Sequence, residues 1–168
     1  MLLSNLQLIF SRNRRYILLT APIWLFISMH SDVTAATVGD KYYLLLEHNT
    51  STDKNDLDIT SIGMLSLKDN KAGYVKLSHM KSESNGNGTT LDLGGGYAFN
   101  GGISFYLMLG VALGYNWDND DYIAAYFPEV GIVLDISKTF GITVSGKRYY
   151  NLYEKDEDVV MLGLVFRK

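Results

Sequence analysis

From residue 41 onward, apolar and polar positions alternate one by one, and the alternation stops and restarts. Period-2 alternation is the mark of a β-strand whose two faces meet different surroundings. It predicts eight strands, at about 41–48, 57–67, 72–82, 90–99, 103–115, 123–136, 140–150 and 158–167. Each is as long as, or slightly longer than, a tilted membrane-crossing strand of about 9–11 residues. From residue 37 on, no run of 18 apolar residues occurs, so no helical span is expected there.

The connections carry a second pattern. His48–Asp56, Glu83–Thr89, Asn116–Asp121 and Asn151–Glu157 read as long, polar loops. Lys68–Lys71, Asn100–Gly102 and Ser137–Thr139, which fall between them, are short. Long loops on one side and short turns on the other are expected of an outer-membrane barrel with both termini in the periplasm. The expected fold is therefore all-β, an eight-stranded antiparallel transmembrane barrel. In hydrocarbon every backbone N–H and C=O needs an internal partner, so such a sheet has to close.

The faces of the later strands follow from parity. Ile103, Phe105, Leu107, Leu109, Val111, Leu113 and Tyr115 share one face against Ser104, Tyr106, Met108, Gly110, Ala112 and Gly114. Strands six to eight repeat this, one face apolar and lipid-suited, the other small, mixed and charged. The first three segments are less decided, and a slip of one residue would exchange their faces.

The segment before the strands has a different character. Arg12, Arg14 and Arg15 precede the apolar run Tyr16–Met29, and the small residues Val33-Thr34-Ala35-Ala36 follow. That order predicts a cleavable secretory signal peptide over 1–36, leaving a barrel over 37–168. An uncleaved anchor is the rival, but the run is shorter than the roughly 20 residues a helical span needs. Cleavage after Ala36 would remove three Arg and Asp32 and move the formal charge from −3 to −5.

Composition fits this picture. There are 16 Gly, 12 Tyr and only two Pro in 168 residues, as suits many strands. The absence of Cys excludes a disulfide framework, thiolate metal sites and a lipidated N-terminal Cys. The mild acidity argues against a nucleic-acid partner.

Candidate chemistry lies on the inner face. Glu47, Lys76, Asp92, Glu129, Asp135 and Lys147 all fall on inward parity. In a narrow eight-stranded lumen side chains fill the space, and unpaired buried charge is very costly. The two lysines are therefore expected to join some of these acids in a polar network that plugs the lumen; a narrow, porin-like channel is the alternative. Tyr115, Trp117, Tyr122, Tyr126 and Tyr150 towards the outer side, and Tyr42, Phe99, Phe140 and Phe166 towards the periplasmic side, read as aromatic girdles. Tyr153 joins the outer set. The acidic loops, Asp118-Asn119-Asp120 among them, lack the rest of a calcium loop. They read as solvated charge, able to approach lipopolysaccharide through divalent cations. His48 and His79 are the histidines beyond residue 36, and no His–Ser motif is visible. Neither catalysis nor any metal or cofactor is expected, and a lipid-modifying enzyme is the weaker alternative.

GYNWDNDDYIAAYFPEVGIVLDISKTFGITVSGKRYYNLYEKDEDVVMLGLVF (Gly114–Phe166) resembles the solitary outer-membrane autotransporter-like β-barrel family. The closing VMLGLVF, with Val160, Leu162, Leu164 and Phe166 in alternation, is similar to the C-terminal signal read by the barrel-assembly machinery, although Arg167 and Lys168 follow it. True autotransporter translocators have twelve strands and a passenger domain, so eight strands place this chain nearer the OmpA and OmpX type. The resemblance implies an integral, monomeric outer-membrane protein of a Gram-negative bacterium, in contact with outer-membrane lipids and lipopolysaccharide, with a structural or surface-interaction role.

Overall fold

A computed structural model of the chain describes residues 40–49, 57–101, 103–153 and 155–168. The expected signal peptide and its cleavage point lie outside the described residues. Eight strands follow in order: β1 (Lys41–Asn49), β2 (Leu57–Lys68), β3 (Lys71–Ser82), β4 (Gly86–Phe99), β5 (Ile103–Asn116), β6 (Asp121–Asp135), β7 (Phe140–Leu152) and β8 (Lys155–Arg167). Each pairs antiparallel with the next, and β1 closes the sheet against β8. Leu45 lies opposite Gly63 on one side and Val165 on the other. Closure leaves no edge, so every strand finds ladder partners on both sides.

Parity sorts the side chains. Outward positions stay apolar yet uncovered: Leu109 is 72% exposed and Val130 58%. A continuous exposed apolar surface of this kind marks a membrane or partner interface. The first three strands are resolved too. In β2, Leu57, Ile59, Ser61, Gly63, Leu65 and Leu67 turn inward, and Asp58, Thr60, Ile62, Met64, Ser66 and Lys68 turn outward. The sequence reading was indecisive there because β2 puts its more apolar side inside, the reverse of β5 and β6.

The connections differ from the sequence expectation. Strands β4, β6, β7 and β8 run into the stretches read as loops, so only 83–85, 117–120 and 153–154 separate strands where long loops were expected. Polar residues in an antiparallel hairpin can continue the ladder in water, so hydrophilicity alone misplaces these boundaries. At the other end, Asp69 and Asn70 both adopt positive φ, 46° and 64°. That is the two-residue primed turn whose twist matches the strands, and Asn and Asp tolerate it.

The lumen is packed in tiers. Towards the β3–β4 and β5–β6 connections lie Leu57, Ile59, Met80, Ile123, Leu152 and Val159; towards the Asp69–Asn70 turn lie Leu65, Leu67, Ala72, Ala98, Val133 and Val165. Aromatics span the space between: Phe127 stacks on Tyr74 (6.4 Å) and meets Tyr149 edge-on (4.9 Å). They fit because glycines face them. A Cβ at Gly131 would fall on the Tyr106 ring, and one at Gly94 would lie 2.8 Å from Tyr74 Cζ.

Candidate functional site

Between the two apolar tiers sits a buried charged cluster. Its charged members come from five strands, each bringing an inward position of the alternation. Lys76 of β3 places Nζ 2.9 Å from Glu47 Oε2 of β1 and 3.5 Å from Glu129 Oε2 of β6. Tyr74 donates to Glu129 Oε2 (2.6 Å) and Tyr106 to Glu129 Oε1 (3.1 Å). Lys147 of β7 lies 3.6 Å from Asp92 of β4. Asp92 also accepts from Thr90 (2.7 Å), Ser78 (3.0 Å) and Tyr149 (3.0 Å). Both ammonium groups rest over aromatic rings, Lys76 over Tyr74 at 3.8 Å and Lys147 over Tyr149 at 4.9 Å. Such rings offer a negative face to a desolvated cation. Three carboxylates thus share two lysines; tyrosine and hydroxyl donors supply further bonds to Glu129 and Asp92, while Glu47 Oε1 and Lys147 Nζ have no hydrogen-bond partner among the described residues.

Asp135 stands apart from this cluster, contrary to its grouping with the other acids in the sequence. It lies near the end of β6 that leads into 136–139, where it takes Lys41 Nζ at 2.9 Å and the Tyr43 hydroxyl at 2.8 Å. Lys41 also donates to Ser104 Oγ and the Gly101 carbonyl, both at 3.0 Å. Strand tilt separates residues of equal parity along the barrel axis, and parity alone does not report that height. Lys41, Tyr43, Tyr74, Tyr106 and Tyr149 were not singled out in the sequence. The signal was available, since all five share the inward parity of their strands, but their apolar bodies hid them among the core positions.

At the other end the connections brace one another. Asp118 accepts from the Asn87 backbone (2.8 Å) and side chain (2.9 Å), and Asn116 donates to the Asn85 carbonyl (2.5 Å). Gly86, at φ 79°, lets that turn pass close to Asp118. Asp118 is therefore a structural acceptor and Asp120 is bonded by the Tyr115 hydroxyl. Tyr153 does not join the girdle: it packs against the lumen core, and its hydroxyl is buried without a hydrogen-bond partner among the described residues. Burial, then the Asp118 charge, raises that phenol above its ordinary value.

The girdle residues sit on the outside in contacting groups. Tyr115 meets Trp117 (5.2 Å) and Tyr122 (5.7 Å), Tyr126 stacks on Tyr150 (5.0 Å), and Phe140 meets Phe166 (5.7 Å). Tyr42 is half-buried and Phe99 exposed. Val160, Leu162, Leu164 and Phe166 all point outward on β8. A polar group also stands on the outer face of β1 and β2. His48 Nδ1 lies 3.0 Å from Thr60 Oγ1 and 3.5 Å from Asp58 Oδ1. Acid and hydroxyl face the same ring nitrogen, so the three do not form an acid–base–nucleophile relay, in which they would face opposite nitrogens.

No protein-family model and no curated protein matches the chain. Among solved structures the fold is shared with a de novo designed transmembrane β-barrel (16% identity, TM-score 0.56), covering 79% of this chain and 98% of the design. It is shared with Neisserial surface protein A (11%, 0.51; 79% and 97% covered) and with the outer-membrane protein Ail of Yersinia pestis (14%, 0.50; 76% and 99% covered). At these identities the likeness is one of fold: a closed eight-stranded barrel of the kind found in outer membranes.

Proposed function

We propose that this chain is an integral outer-membrane β-barrel of a Gram-negative bacterium, exported through residues 1–36, with a non-catalytic structural or surface-interaction role. The observation that carries it is the inversion of the two faces. Large apolar side chains such as Leu109 and Val130 stand exposed outside, and Lys76, Glu47, Asp92 and Glu129 are buried inside. Only a hydrocarbon surround makes that arrangement favourable. The side-chain-filled lumen supports a plug over a conducting channel. The outward alternation of Val160, Leu162, Leu164 and Phe166 supports recognition by the barrel-assembly machinery. The girdle supports contact with outer-membrane lipids and lipopolysaccharide, and closure without a free edge supports a monomer. The autotransporter-like resemblance of Gly114–Phe166 is the finer family reading.

The test is gel mobility of the outer-membrane fraction with and without heating, followed by planar-bilayer recording. The reading expects a heat-modifiable band and no conductance. Absence from that fraction overturns the membrane reading, and steady single-channel current overturns the plug in favour of the channel.

A further inference from the structure

The outward polar group on β1 and β2 is out of place in the wall that carries it. His48 pairs across β1–β8 with Leu162, midway along a strand of 13 residues, and Leu162 pairs in turn with Val144. Its flanking outward neighbours are therefore Leu46, Leu162 and Leu164, not loop residues. Yet His48 and Asp58 leave 59% and 57% of their side chains uncovered. Titratable groups facing hydrocarbon are costly, and within a membrane span they mark a functional site by default.

Two further observations point to what would cover them. A groove of about 620 Å³ runs along the same wall, lined by Leu46, Ile142, Val144, Leu162 and Leu164, with His48 and Thr60 at one side. Its floor is the β8 backbone at Gly163, whose own Cβ direction points into the lumen towards Glu47 and Thr143, between the outward rows of β7, β8 and β1. Beyond it, Thr60 lies opposite His79 and Asp58 opposite Lys81, both exposed on the outward face of β3. An apolar trough, a hydrogen-bonding group at one side and an exposed lysine and histidine further towards the membrane surface follow one another along the wall.

We infer that this wall binds one acylated, phosphate-bearing lipid of the outer leaflet. A chain lies in the groove, an ester or hydroxyl oxygen of the lipid meets His48 and Thr60, and the phosphate lies near His79 and Lys81. A concave trough of this size takes a flexible chain, whereas the convex wall of a second barrel would leave it unfilled. The inference rests on the membrane reading above.

Native mass spectrometry of the detergent-solubilised barrel with purified bis-phosphorylated lipid A tests it, alongside His48→Leu/Thr60→Val, Lys81→Gln and the opposite-wall control Leu109→Val. Retention should fall roughly five- to tenfold in the double variant, the equivalent of about one net hydrogen bond. It should also fall in Lys81→Gln and hold in the control. Equal retention in all variants, equal loss in the control, or a protein dimer that the double variant abolishes would each overturn the site. Heat-modifiability of the same samples separates the two ideas: a folded, modifiable barrel with unchanged retention removes the lipid site and leaves the membrane reading standing.

Discussion

Lys76 is the residue on which the lumen cluster turns, because it alone touches two carboxylates from different strands, Glu47 and Glu129. Removing one partner of a buried ion pair leaves the other charge uncompensated, at a cost of about 3–5 kcal/mol. Lys76→Met should therefore lower the urea midpoint in lipid vesicles sharply. Adding Glu47→Gln and Glu129→Gln should recover much of it, since neutral amides no longer need the ammonium. A single-variant loss that the triple variant does not recover would mean that Lys76 acts through its packed stem instead. Two tyrosines give a sharper contrast. Tyr149 donates to Asp92, so Tyr149→Phe should cost about 1.5–3 kcal/mol, the worth of one of the three hydroxyl bonds to that buried charge. Tyr153 has a buried hydroxyl without a partner among the described residues, so Tyr153→Phe should be neutral or stabilising. The raised Tyr153 phenol also sets a pH dependence. A phenol that holds its proton more tightly when folded adds stability that is intact below its unfolded value of about 10 and is lost as pH rises through the folded value. Tyr153→Phe should accordingly flatten the alkaline fall in stability relative to wild type.

At the scale of the strand, the spacing of glycines shows which positions are structural. Gly131 lies directly beside Tyr106 on the neighbouring strand β5, whose ring covers it, whereas a Cβ at Gly95, on the outer wall, would meet nothing within 4 Å. Gly131→Ala should destabilise by about 1–3 kcal/mol through overpacking, and Gly95→Ala should be tolerated. Equal effects of the two in thermal unfolding would mean that strand flexibility, not room for a ring, explains the glycines. Much of the strand pattern was legible because the period of two survives in every segment: the outward row Ile103 to Tyr115 and the inward Glu129 were assigned by parity alone. What parity could not carry is height. Asp135 and Glu129 are both inward on β6, but the tilt of the sheet brings Lys41 to one and Lys76 to the other. The strand ends were misjudged for a related reason. Asn151 and Asp156 look like loop by composition, yet β7 runs on to Leu152 through an irregularity at Asn151 (φ 63°), and Asp156 is the second residue of β8. The His48–Thr60–Asp58 group was invisible for the opposite reason, since its members come from two strands and meet only when Glu47–His48 registers against Thr60–Ser61.

Taken as a whole, the lumen is closed by more than its charges, and this decides how it should respond to damage. Above and below the ion cluster lie apolar tiers, Ile59, Met80 and Leu152 on one side, Leu67, Val133 and Val165 on the other. A continuous water path therefore has to pass two dry constrictions as well as the cluster, and a narrow apolar constriction blocks ions by dewetting even when its neighbours are polar. If the salt bridges alone held the lumen shut, Lys76→Ala with Glu129→Ala would admit current. With apolar tiers intact, that pair should lose stability and remain silent in planar bilayers. Conductance should appear only when both tiers are thinned too, as by adding Met80→Ala in one and Leu67→Ala in the other, whose side chains are fully buried. Current from the charge-cluster pair alone would show that the ions form the gate, and would move the protein from a packed scaffold towards a channel held shut by its lysines.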